Sequence, residues 1–437
     1  MGGMQLSRSI RRPAFAVGVA LVLGATGFVT SCGGGSSGNA GSKPAAFQLK
    51  ILDLAPLTGD LAPLGTSGKK SVDLGVAQIE KAIKDLGASE TVTVVHADDR
   101  GDPKAAVDAA RSEIAKGGTG CMIGSWAPDV TLRVATEVAI PAHVLQITPA
   151  STSDEIGKLQ DAGLVSRTVM PDDEQGRALA DVLEQDLGGS SGRRVNLGVE
   201  SNAYGTGLAD SFTRAWKAKQ GLIGKRVGFG PKEKSYRPAA SALVSGDPDA
   251  WALFTFAPPY PALSRALLDT GHWSADKTYV TDALAQPDLP KLAGAEATEG
   301  LRGTAPGSPD DNPATAAFDR LYSSSPGPKP QTFDAQAFDA AILCYLSAVG
   351  AGKTDGPSMA KVERGISGPP GRVYTWQQLP RAVAALAGGE DIDYEGASGP
   401  IDLNGAGDAT AGAYDLYRYQ DGRITVYDQV IVPKSAP

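Results

Sequence analysis

From Phe47 onward, short apolar runs alternate with longer stretches of helical period. Phe47-Gln48-Leu49-Lys50-Ile51 alternates apolar and polar residues, the spacing of a strand, before Pro56-Leu57-Thr58-Gly59 turns the chain. Apolar residues then recur at Val72, Val76, Ile79 and Ile83, which predicts a helix over 72–86. The β-branched run 91–96 predicts a second strand, and Pro103 suits the first turn of a helix over 104–115. Cys121-Met122-Ile123 reads as a short buried strand, 129–138 as a helix and 144–148 as a strand. After Met170-Pro171-Asp172-Asp173 the rhythm restarts, with helices predicted over 174–187, 207–219 and 262–268 and strands over 195–200, 252–256 and 278–281. Strands alternating with helices imply parallel sheets covered on both faces. Two such runs, parted near 167–172, imply two α/β lobes.

Length agrees: 437 residues allow two to three domains at about 150 residues each. The 54 Gly and 30 Pro exceed ordinary usage without a G-X-Y period, which indicates many turns rather than collagen. A formal charge of −8 is opposite to the basic footprint that nucleic acid requires, so no nucleic-acid partner is expected.

The first 31 residues carry Arg8, Arg11 and Arg12 and no acid, followed by an apolar run from Ala14 to Val29. Small residues then lead to Cys32 and a Gly/Ser stretch, the layout of an export signal over 1–31. Without it the chain has 38 basic and 49 acidic residues, a charge of −11. The residues before Cys32 resemble the lipobox of bacterial lipoproteins, so Cys32 is the expected lipidation site, a membrane anchor followed by a flexible tether over 32–46. An ordinary signal peptide with a chance cysteine is the alternative. Arg11-Arg12 hints at twin-arginine export, but no Phe follows at the usual spacing. Export permits a disulfide between Cys121 and Cys344, but two buried free thiols are the plainer expectation from their apolar surroundings.

Catalytic patterns are missing from the sequence. His96, His143 and His272 fall in separate elements, no Cys-x-x-Cys occurs, and no metal or cofactor is expected. Gly396-Ala397-Ser398-Gly399 ends in Pro400 and reads as a turn. Gly352-Lys353-Thr354 follows a predicted helix, whereas a phosphate loop must follow a strand. Asp98-Asp99 reads as turn and cap chemistry ahead of Pro103 rather than as a catalytic pair.

Several segments, taken in order, resemble the type I periplasmic-binding family, and within it the substrate-binding lipoproteins of branched-chain amino-acid ABC transporters. They are Pro56-Leu57-Thr58-Gly59-Asp60, Asp98-Asp99-Arg100-Gly101-Asp102-Pro103, Ile147-Thr148-Pro149-Ala150-Ser151-Thr152, Ala203-Tyr204-Gly205-Thr206-Gly207, and Tyr394 to Asp402 leading to Gly407-Asp408. The match runs from about 47 to 430. The resemblance implies two Rossmann-like lobes joined by a three-crossover hinge. Lobe one would combine 47–168 with 305–398 and lobe two 169–304 with 399–437, with crossovers near 167–171, 303–306 and 399–402. It further implies a non-enzymatic, monomeric protein that captures an amino acid or related polar solute by lobe closure. Such a protein delivers its solute to an ABC permease and its ATPase.

By the same resemblance, Ala150, Ser151 and Thr152 form the turn that holds a ligand carboxylate, Tyr204 closes over the ligand, and Asp282 meets its ammonium. Each has a plainer alternative, respectively a helix cap, a core tyrosine and a surface-turn acid. Tyr260 lines the lobe-two wall or merely packs, and Trp126 offers a stacking face or covers the core. One departure stands out. Where the family places a lobe-one serine after Gly124-Ser125-Trp126, this chain has Ala127-Pro128-Asp129, and neither Ser125 nor Thr131 keeps the spacing. Losing one hydrogen bond to a charged group costs about 1.5–3 kcal/mol, roughly 10- to 150-fold in affinity. The expected ligand is therefore not confined to ordinary α-amino acids. A sensor of the same fold, and a secreted hydrolase using Asp98, Asp99 or Asp282, are the alternative functions.

Overall fold

The computed structural model describes residues 46–434. The expected leader, Cys32 and the tether through residue 45 lie outside the described residues.

Strands β1 (Gln48–Ala55), β2 (Thr91–Asp98), β3 (Thr119–Gly124), β4 (Leu145–Thr148) and β5 (Val165–Arg167) form a parallel sheet in the order β2-β1-β3-β4-β5. Helices α1 (Ala62–Leu86), α2 (Pro103–Ala115) and α3 (Pro128–Val134) supply crossovers between these strands. Asp102 caps α2 by accepting from the Ala105 N–H, with Pro103 behind it as predicted. Helix α1 begins ten residues earlier than its apolar period suggested. Its opening turns are rich in small residues because they meet other chain closely: a Cβ on Gly68 would lie 2.0 Å from the Trp126 ring.

Helices α4 (Asp172–Asp186) and α5 (Ala203–Ala218) follow, with strands β6 (Arg194–Glu200), β7 (Leu222–Phe229), β8 (Ala250–Phe254), β9 (Thr278–Val280) and β10 (Arg302–Gly307). The chain then returns to the first core through helices that include Asp334–Ala351 and a small sheet of β11 (Arg372–Thr375), β12 (Ile392–Gly396) and β13 (Gly399–Pro400). Finally β14 (Gly412–Gln420) and β15 (Arg423–Val432) complete a seven-stranded sheet ordered β15-β14-β10-β9-β8-β6-β7, antiparallel only at β10/β14 and β14/β15. The chain thus passes between the first core and the seven-stranded sheet three times. This is the expected two-lobed α/β architecture.

The boundaries differ from expectation in two places. The division at 304/305 falls inside β10, where Ala305 pairs with Asp415 of β14. The division at 398/399 comes too early, because Gly399 and Pro400 pair with β12 while Ile401 and Leu403 sit in the first core. In both places the turn-forming residues lie within paired backbone rather than at its end.

Helix Asp334–Ala351 is buried on all sides within the first core and ends at Gly352, φ 62°, so the Gly-Lys-Thr segment is a helix terminus. Its Cys344 is bridged to Cys121 of β3, with Cα atoms 5.9 Å apart and 223 positions between them in sequence.

On β2, His96 is held between Asp53 (2.7 Å) and Asp73 (2.9 Å). Burial alone pulls the imidazole down, but the hydrogen bonds and charges of both carboxylates outweigh it and push the group up to about 9. The folded protein therefore binds this proton more tightly than the unfolded chain does. The stabilisation is complete below about pH 6.5 and is lost as pH rises through about 9. Denaturant titrations from pH 6 to pH 10 are expected to show that decline, and His96→Gln to flatten it.

Candidate functional site

The Ser/Thr turn begins where β4 ends. Thr148 Oγ1 accepts from the N–H groups of Ala150 (3.5 Å) and Ser151 (3.2 Å) and donates to the Ser125 carbonyl at 2.6 Å. Ser151 Oγ lies 2.6 Å from Thr131 Oγ1 and 3.3 Å from the same Ser125 carbonyl. Behind the turn, Arg167 of β5 is only 1% exposed and donates through Nη1 to the carbonyls of Ser151, Thr152 and Ser153. Its other edge meets Asp408 at 2.7–2.8 Å. An all-donor fork is what three converging carbonyls need, and Asp408 supplies the countercharge.

Helix α4 starts against this turn, because the Asp172 N–H donates to the Thr152 carbonyl at 2.8 Å. One turn along, Gln175 Nε2 donates to Asp282 Oδ1 (2.8 Å) and to the Thr304 carbonyl (3.0 Å). Tyr204, in the first turn of α5, stacks on Phe256 at 4.6 Å and directs its hydroxyl to Asp282 (3.0 Å) and Thr281 (2.8 Å). Burial pushes Asp282 up to about 6, although hydrogen bonds from Gln175 and Tyr204 pull it back. Asp172 is driven well above the usual carboxylate range by burial. The Thr152 hydroxyl and the Arg167 charge pull it back, and apart from that hydroxyl neither of its oxygens, nor Gln175 Oε1, has a hydrogen-bond partner among the described residues. A Cβ on Gly207 of α5 would come 2.8 Å from Asp172 Oδ2, so glycine there lets the helix approach the carboxylate.

The structure therefore links Ala150, Ser151 and Thr152 on the first lobe to Tyr204 and Asp282 on the second through α4. Two other expected residues stand apart. Tyr260 is fully buried in the second lobe's core and donates to the Ala297 carbonyl at 2.5 Å, so it packs rather than lining a cleft wall. Trp126 is 4% exposed, lies over Gly68 and sits edge-on to Phe333 at 6.3 Å, so it covers the first core. Asp129, at the departure from the family pattern, accepts from the Ala203 N–H at 3.2 Å and so joins α3 to the start of α5 across the lobes.

Arg167, Asp172, Gln175 and Asp408 were not anticipated as site residues. Their partners are remote in sequence, and only the buried position of an arginine in an apolar strand would have hinted at the first. Asp98 is committed to the turn, accepting from the N–H groups of Leu57 and Thr58, while Asp99 accepts from Gly101 and is pushed by burial up to about 7. A cavity of about 420 Å³ is lined from Ala285 and Pro306 along the connection to Asp334, and none of Thr152, Asp172, Gln175, Tyr204 and Asp282 lines it.

The model of a family described as periplasmic binding protein matches residues 48–423. Among curated proteins, the Leu/Ile/Val-binding protein homolog 3 of Brucella melitensis is 28% identical over 385 residues, covering 85% of this chain and 91% of the relative. The chemotactic signal transduction system substrate-binding protein BasB of Halobacterium salinarum is 25% identical over 390 residues, 87% and 89% of the two chains. Among solved structures, the leucine-binding protein LivK of Thermotoga maritima superposes with a TM-score of 0.71 at 24% identity, covering 87% of this chain and 98% of that one. A solute-binding protein of R. palustris in complex with 4-hydroxybenzoate does so with 0.70 at 18% identity, covering 89% and 98%.

Proposed function

The chain belongs to the periplasmic binding protein family, and from that premise we propose that it captures a small polar solute between its lobes for an ABC permease. The observation that carries this reading is the convergence of the Ser/Thr turn of one lobe with Tyr204 and Asp282 of the other through Asp172 and Gln175 of α4. A solute touching both lobes favours the closed arrangement by its differential affinity, and the permease then distinguishes closed from open. The lobes that move are 46–170 with 308–410 and 171–307 with 411–434, a division that follows sheet membership. No covalent step is assigned to the site, and the protein acts as a binding protein rather than an enzyme.

A thermal-shift panel of amino acids, amides, amines and aromatic acids tests this reading. A solute at a hundred times its Kd adds about 2.7 kcal/mol to stability. A panel that leaves the midpoint unchanged throughout, with turnover of any member, would reject it. For a solute that binds, Tyr204→Phe is expected to weaken affinity by about 10-fold or more, because it removes a hydrogen bond to a carboxylate while keeping the ring on Phe256. Titration calorimetry of both proteins checks this.

The lipid anchor belongs to the same proposal: Cys32→Ser would move the protein from the membrane fraction to the soluble one. A second reading, ligand sensing, is favoured by the similarity to the chemotactic substrate-binding protein. Loss of labelled-solute uptake on deleting the gene supports transport, whereas intact uptake with lost taxis supports sensing.

A further inference from the structure

Three donors that would receive a carboxylate at the Ser/Thr turn are already engaged, and the Thr152 hydroxyl faces Asp172. The N–H groups of Ala150 and Ser151 point to Thr148 Oγ1, and the Ser151 hydroxyl is engaged by Thr131 and Ser125. At the start of α3, Pro128 offers no N–H, and Asp129 brings a further carboxylate across the lobes. The Arg167 guanidinium is held by Asp408 and three carbonyls.

What the site leaves unpaired is mostly acceptors. Asp172 has no partner beyond the Thr152 hydroxyl, and Gln175 Oε1 has none among the described residues, on side chains that are fully buried. Asp282 accepts from Gln175 and Tyr204 and has no cation beside it in those bonds. Buried polar groups are normally satisfied, and buried carboxylates are normally paired with a cation.

Resting on the solute-capture reading, we infer that the solute is an organic cation, an amine or guanidine held through its N–H groups by Asp172, Gln175 and Asp282, and not a zwitterion anchored by its carboxylate. A donor-only group satisfies the open acceptors directly. A carboxylate in the same place meets Asp172 and Asp282, with the Ala150 and Ser151 donors turned to Thr148, Thr131 and Ser125. Asp172 is then the specificity-determining residue, because it is the buried acid there with no partner beyond the Thr152 hydroxyl.

Calorimetric titration of the purified protein separates the possibilities with probes matched in frame and differing in charge. They are L-leucinamide, L-leucine and 4-methylpentanoate, then tyramine, L-tyrosine and 4-hydroxyphenylacetate, with putrescine and agmatine added. The expected result is that at least one cation binds, at least tenfold tighter than any zwitterion or anion. Asp172→Asn is expected to weaken it tenfold or more while raising the melting temperature of the empty protein, which shows that the variant folds. Asp282→Asn provides the second variant, with the same expected loss.

A zwitterion or anion that binds as tightly as the best cation overturns the inference and leaves solute capture standing. Cation binding that is unchanged in both variants also overturns it. Failure of every cation to bind rejects it too, and failure of all three charge classes rejects the capture reading with it.

Discussion

Arg167→Met is expected to lower the unfolding free energy by about 3–5 kcal/mol, because it leaves Asp408 and three carbonyls without their shared donor in a buried site. Methionine fills the volume of the side chain, so the loss reports the missing charge and hydrogen bonds rather than a cavity. Arg167→Lys recovers little, since a single ammonium cannot reach both the carbonyl cluster and Asp408 with a planar fork. The expected signature in guanidinium titration is an earlier midpoint with an unchanged slope. A change below about 1 kcal/mol would mean that the turn is held by its own hydroxyl network and that Arg167 is incidental.

The second large effect is at the bridge. Replacing Cys121 and Cys344 together by alanine is expected to cost about 2–5 kcal/mol. The closed loop spans 223 positions and contains strands β4 to β10, hence most of the second lobe, so its closure restricts the unfolded chain strongly. Both cysteines are fully buried where β3 meets helix Asp334–Ala351, so a reductant acts slowly on the folded protein and fully once it is unfolded. Guanidinium titration with and without dithiothreitol checks this. The wild type should lose stability on reduction, and the double variant should not respond.

Fold class was legible because the strands are β-branched or apolar runs and the main helices have apolar stripes. Helix α1 shows the limit: its apolar stripe begins at Val72, and its first turns pack through glycines that carry no hydropathy signal. The lobe boundaries slipped for a related reason, since proline and glycine in β10 and β13 sit within pairing and not after it.

Of the candidate site, Tyr204, Asp282 and the Ser/Thr turn were found through family-like segments whose local spacing survives in one sequence. Arg167 and Gln175 were not, because Arg167 meets Asp408 across 241 positions and Gln175 meets Asp282 across 107. Tyr260 looked like a wall residue between two prolines, yet those prolines open the helix Tyr260–Leu268 and turn the ring into the core. Pairing of Cys121 with Cys344 depends on which helix covers β3, and nothing in the local sequence states that.

Closure of the two lobes on a solute is the central claim, and single-molecule energy transfer between them tests it most directly. Dyes at Lys81→Cys on α1 and Arg265→Cys on helix Tyr260–Leu268, in a Cys32→Ser background, occupy exposed positions on opposite lobes. The account predicts two populations of transfer efficiency, with the tightest-binding solute of the calorimetric panel converting the low-efficiency one into the high-efficiency one at its Kd. A single population that stays unchanged while calorimetry records bound solute would contradict it.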